Sequence, residues 1–99
     1  MKIRNANPSD IPSLFYLIKK KAEFDTNLGD FNGIISTSEE KIKNTMFNHQ
    51  PFAWAFLVVN ETNLPVGMAL YHIRYSSFKG LPYIWLDDLY ILMNIENLD

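Results

Sequence analysis

Residues 64–91, LPVGMALYHIRYSSFKGLPYIWLDDLYI, constrain this chain more than any other stretch. Two runs rich in apolar and aromatic residues, 66–75 and 83–92, flank a short segment that holds Gly80 and Pro82. Such runs, parted by turn residues, read as neighbouring strands. The link between them is too short for a crossover, which favours antiparallel pairing. The second run carries two adjacent acids, Asp87 and Asp88, in an apolar setting. Alternation predicts their side chains on opposite faces of the strand. An acid inside such a strand is costly to bury without a partner. At least one of them is therefore expected to meet a cleft, a backbone donor or a cation.

The rest of the chain supplies elements to pack against these strands. Residues 2–6 read as a short strand around Ile3. Asn7-Pro8-Ser9-Asp10 reads as a helix start, with Asn7 to cap, Pro8 at the first helical position and Asp10 as an anion in the first turn. Ile11, Leu14, Phe15, Ile18 and Ala22 then recur at helical spacing and form one apolar face. Pro12 is tolerated only because it stays in the first turn. The helix is expected to fade near Phe24. Lys19, Lys20 and Lys21 would then sit at the helix end, where cations suit the dipole. Residues 25–36, with Gly29 and Gly33, read as a loop. Thr37 and Glu40 fit a capping box for a short helix to about Phe47, with Ile42 and Met46 turned inward. Residues 52–59 read as a strand and 60–65 as a turn. The order is strand, helix, helix and three strands. It predicts an α+β fold, a mostly antiparallel four-stranded sheet with two helices packed on it.

Composition narrows the function. Ninety-nine residues allow one domain, and 47% apolar and 14% aromatic residues supply a core. Nine basic against eleven acidic residues give a net charge of −2, which weighs against a nucleic-acid partner. The absence of cysteine excludes disulfides, thiolate catalysis and zinc–thiolate sites within this chain. His49 and His72 stand apart with no ligand spacing, so no metal site is expected. His72, set among Leu70, Tyr71 and Ile73, reads as a structural histidine. No apolar run approaches the ~20 residues that span a bilayer. Lys2, Arg4 and Asp10 interrupt any signal-peptide core. A soluble cytoplasmic protein with no membrane partner is the expectation. No GxGxxG, P-loop or GxSxG occurs.

The segments VGMALY, YSSFKG and YIWLDDLYI, with the order of elements over residues 3–91, resemble the amino-terminal half of the GNAT (general N-acetyltransferase) superfamily. The match looks closest to the spermidine/spermine and thialysine acetyltransferase branch, where the pattern VGFALY…YSTF.G…GIYLEDLYV runs through the third and fourth strands. The resemblance implies transfer of acetyl from acetyl-CoA to a primary amine of a small cationic molecule. It implies that Asp87 and Asp88 lie near that amine as catalytic acids, holding it or relaying its proton through water. Phe24 and Asp25 would end the first helix beside the substrate. Tyr75 would border the pocket, and Trp85 could offer a ring face to a cation. The backbone of Leu89, Tyr90 and Ile91 would hold the pantetheine arm, next to a bulge that splays the strand. Taken without the resemblance, the same residues allow plainer roles. Asp87 and Asp88 could be a strand-end and a turn-capping acid, Asp25 a loop acid, Trp85 core, and 89–91 ordinary strand.

The family's Gln/Arg-x-x-Gly-x-Gly/Ala pyrophosphate loop follows the fourth strand. Residues 92–99, LMNIENLD, hold no Gly, Arg or Gln, and two acids. The expectation is that residues 1–91 are the amino-terminal half of an acetyltransferase domain and 92–99 a divergent tail, with no activity alone. A complementing carboxy-terminal half or a homodimer would complete it. The alternatives are a non-enzymatic binding or assembly module pairing through an open sheet edge, or a gene remnant without function.

Overall fold

The computed structural model describes residues 1–30 and 32–92. The expected tail thus lies outside the described residues except for Leu92, as does Phe31 of the expected loop. Strand β1 is Lys2–Asn5, and helix α1 is Ile11–Asn27 after a 3-10 turn at Pro8–Asp10. Helix α2 is Glu39–Met46, followed by β2 (Trp54–Val59), β3 (Pro65–Ser76) and β4 (Leu81–Ile91). The strands form one sheet in the order β1-β2-β3-β4, with every neighbouring pair antiparallel. This is the expected α+β arrangement.

Local chemistry explains where the elements start and stop. Asn7 and Asp10 cap each other reciprocally across the 3-10 turn. α1 runs three residues beyond Phe24, and the expected boundary is corrected by two contacts. Lys21 pairs with Asp25 one turn on, and the Thr26 hydroxyl donates to the Ala22 carbonyl. The three lysines therefore lie within the helix and not at its end. α2 is capped by Ser38, whose Oγ accepts from the Lys41 N–H at 3.1 Å. The cap falls one residue later than Thr37, because the extended backbone at Ser38 brings its own hydroxyl over the first turn.

Both helices cover one face of the sheet. Ile11, Leu14 and Leu17 of α1 and Ile42 and Met46 of α2 pack on Ala55, Leu57, Val59, Met68 and Tyr90. Leu14, Leu17, Leu57, Val66 and Met68 are fully buried. On the opposite face Tyr71 stacks between Trp54 and Phe56, with ring centroids 6.0 and 5.5 Å away. Ile73, Ile84, Leu86 and Leu89 on the same hairpin are exposed.

Gly67 allows β3 and β4 to close. A Cβ there would lie 2.9 Å from the Tyr90 carbonyl oxygen and collide with the Ile91 side chain. A backbone oxygen cannot rotate aside, so Gly67→Ala is expected to cost about 1–2 kcal/mol through overpacking. A lower urea midpoint with an unchanged slope would show it.

Candidate functional site

The β3–β4 ladder holds one irregularity. From the turn, pairing runs regularly to Tyr71 with Leu86, then resumes at Leu70 with Asp88. Asp87 is the extra residue and has no partner on β3. This is a β-bulge, and it resets the alternation of β4 at that point.

The consequence is seen in the contacts of the two acids. Asp88 pairs with Leu70, which packs against the core beneath the helices, and its Oδ1 lies 3.8 Å from Lys21 Nζ on α1. Asp87 Oδ2 lies 2.6 Å from His72 Nδ1. His72 is two residues from Leu70 on β3 and so shares its face. Both acids therefore project to the helix-bearing side. The expectation of opposite faces is corrected, and the inserted residue is the physical reason.

Lys21 joins the two layers. Its ammonium donates to Asp25 Oδ2 at 2.6 Å and also faces Asp88. The i, i+4 spacing on α1 puts Lys21 and Asp25 on one helix face. Together with Ile18, Ala22, Ile35 and Met68, these three charged groups line a cleft of about 220 Å³. Burial pushes the Asp88 carboxyl above the usual carboxylate range. Lys21 opposes that rise, while Asp87 and Asp25 add to it.

The other expected site residues spread out from this cleft. Phe24 does not line it; its ring packs 5.9 Å from that of Tyr90. Burial raises the Tyr90 hydroxyl above its ordinary value. Trp85 pairs with His72 and lies beneath the Arg74 guanidinium, 4.3 Å from the ring centroid. It is 44% exposed and so is not a core tryptophan. Tyr75 lines a larger depression of about 730 Å³ at the hairpin end, with Phe78, Pro82 and Tyr83. Among the described residues that depression shares none with the acid cleft, and Lys79 is its only charged lining group. The smaller cleft, where the charges converge, is the better candidate for chemistry on an amine.

β4 is an edge of the sheet among the described residues. The Leu92 N–H donates to the Val66 carbonyl at 2.9 Å, so this pair is a hydrogen-bonded one. Antiparallel ladders alternate, so Tyr90 also turns its backbone toward β3. Leu89 and Ile91 then turn their N–H and C=O groups to the open edge. An extended amide-bearing arm fits such an edge as an added strand. The residues present thus suit the pantetheine part of acetyl-CoA.

Two contacts of the acids were not legible in the sequence, where His72 reads as a structural histidine and Lys21 as one of three helix-end lysines. His72 reaches Asp87 across 15 positions of chain, and only the bulged register brings them together. Lys21 was legible only as part of a lysine run. An acid four residues after it was the available signal.

No protein-family model matches the chain, and no curated protein matches it. Solved structures do match. A probable acetyltransferase superimposes with a TM-score of 0.74 at 18% identity, over 95% of this chain and 59% of its own. The chain has a GNAT-like fold. An aminoglycoside acetyltransferase from an uncultured soil metagenomic sample, in complex with sisomicin, gives 0.66 at 20% identity, over 94% of this chain and 57% of that one. The ribosomal-protein-alanine N-acetyltransferase of Brucella melitensis biovar Abortus 2308 gives 0.65 at 12% identity, over 95% and 59%. The chain thus spans under three fifths of the length of these structures. Likeness at such identities is likeness of fold.

Proposed function

We propose that this chain carries the amine-binding side of an acetyl-CoA-dependent N-acetyltransferase that acts on a primary amine of a small cationic molecule. The observation that carries the reading is the bulge at Asp87. It sets both acids on one face, Asp88 in the cleft with Asp25 and Asp87 against His72, next to an open strand edge. Asp25 and Asp88 already hold one ammonium, that of Lys21, and an amine substrate would take its place. Acetyl-CoA supplies an acyl thioester. The open backbone of Leu89 and Ile91 would align its amide arm. A primary amine arrives as an ammonium and must lose a proton before it can attack. The likeness of YIWLDDLYI to the polyamine branch supports a polyamine or amino-acid analogue as substrate. A complementing segment or a second copy would supply the pyrophosphate site. Among the described residues no helix is long and apolar enough to cross a membrane, and we propose a cytoplasmic setting.

Calorimetry with acetyl-CoA, with the solution mass recorded beside it, tests the reading. Thiol release with a panel of amines, spermidine first, should accompany it. Micromolar cofactor binding and amine-dependent thiol release are expected of the assembly that completes the pyrophosphate site, a dimer of this chain or its complex with the complementing segment. A folded chain that shows neither, as a dimer or with the complementing segment added, would end this reading. It would favour the second one, a non-enzymatic assembly module joined by strand addition, which the open β4 edge also supports. Concentration-dependent dimerisation without acetyl-CoA binding is that module's expected behaviour.

A further inference from the structure

We propose that His72 is the proton acceptor for the attacking amine, and that Asp87 is its positioning residue. This rests on the acetyl-transfer reading above. The geometry starts from the 2.6 Å contact between His72 Nδ1 and Asp87 Oδ2. An ionised carboxylate only accepts hydrogen bonds, so Nδ1 carries the hydrogen. A neutral ring held in this way keeps its lone pair on Nε2. Imidazole is the side chain best matched to base work near neutral pH.

The pair is held by rigid elements. His72 lies within β3 opposite Trp85, and Asp87 is the bulged residue of β4. A site built on strands keeps its geometry better than one built on a loop. His72 and Asp87 are partly exposed, at 31% and 40% of their side chains, so a small substrate can reach them. The charged groups on this face divide the labour. Asp88 of β4 and Asp25 of α1 meet at Lys21 and are arranged to hold an ammonium. Arg74 of β3 is stacked on Trp85. A carboxylate that binds an ammonium by charge loses that attraction once it takes the proton. His72 and Asp87 do not line that cleft; they lie further along the same face of the hairpin, with His72 two residues from Leu70, the partner of Asp88.

The ammonium gives one proton to His72 Nε2 and becomes a neutral amine. Its lone pair forms the N–C bond to the thioester carbonyl carbon. The C–S bond breaks, and sulfur leaves with the electron pair. The second proton on nitrogen passes to sulfur, giving amide and thiol. The imidazolium returns its proton to water.

The test compares two amines at pH 7. Propylamine is charged there, and trifluoroethylamine is neutral and needs no base to prepare it. His72→Gln is expected to lower kcat for propylamine by about 10²–10⁴-fold, the usual range for a lost general base. KM should change little, and turnover of trifluoroethylamine should stay near wild type. A merely structural role would depress both amines alike. Asp87→Asn adds a second readout. Its amide would donate to Nδ1 and move the ring hydrogen to Nε2. Long-range nitrogen NMR should show that tautomer switch, with a fall in propylamine kcat. The proposal is overturned if His72→Gln spares propylamine or depresses both amines equally. It is also overturned if the wild-type ring carries its hydrogen on Nε2. These results would leave acetyl transfer intact. Absence of thiol release with either amine by the wild-type chain in the assembly that completes the cofactor site would overturn the transfer reading and this one with it.

Discussion

Asp10→Ala is expected to destabilise the fold by about 3 kcal/mol, the low end of what breaking a buried ion pair costs. Asp10 is 6% exposed. Its carboxylate takes both arms of Arg4, at 2.7 and 3.0 Å, and the Asn7 N–H at 2.8 Å. Truncation leaves the guanidinium unpaired and a backbone donor unsatisfied. Arg4 is about one-third exposed and can relax toward water, which sets the lower figure. The same pair predicts a pH dependence. The Arg4 hydrogen bonds hold the Asp10 carboxyl below its ordinary 3.8, burial opposes them, and the Asn7 N–H helps them. A carboxyl depressed in the folded state contributes fully above its unfolded value and loses that contribution as pH falls through the folded one. The loss therefore comes below about pH 4. Urea denaturation from pH 7 into acid should show the wild type weakening there, with Asp10→Asn weaker at neutral pH and flatter in acid. Because this pair anchors the start of α1, the loss would reach the helix that carries Lys21 and Asp25.

Lys21→Met is expected to uncover the charge conflict in the acid cleft. Without the ammonium, Asp25 and Asp88 face each other, with Asp87 next to Asp88. Burial already raises the Asp88 carboxyl, and the change removes the cation that opposes the rise. A carboxyl raised in the folded state penalises the fold once pH exceeds its unfolded value, and the penalty fades as pH falls. The variant should thus melt below wild type at pH 7 and recover in acid. Asp88 is 38% exposed, so solvent screening keeps the loss near 1 kcal/mol. That corresponds to a Tm shift of about 4–8 °C for a domain of this size. Spermidine should refill the cleft and raise Tm by mass action, more in the variant than in wild type. Melts that ignore spermidine in both proteins would count against an amine-holding role for these acids.

The architecture was largely legible before the structure. Turn residues and β-branched runs located β2, β3 and β4 to within three residues at each end, and Asn7-Pro8 marked the 3-10 turn that leads into α1, three residues ahead of the helix itself. These signals are local and act over a few positions. The site was less legible because it depends on register. One extra residue in β4 reverses the alternation rule for an acid, and no propensity marks Asp87 as that residue. The far end of α1 was missed for a related reason. Lys21 and Asp25 extend the helix through a side-chain pair that also ties it to Asp88, and a tertiary contact outweighed the loop-like composition after Phe24.

The bulge gives β4 an uneven tolerance to length change. Removing Asp87 would leave Trp85 opposite His72, Leu86 opposite Tyr71 and Asp88 opposite Leu70, an unbroken ladder in which every remaining side chain keeps its face. Removing a regularly paired neighbour would instead turn one flank of the strand inside out. At this point a single codon separates a plain hairpin from one that presents a histidine–aspartate pair beside a cleft. Gain or loss of that codon is a change the core would scarcely register.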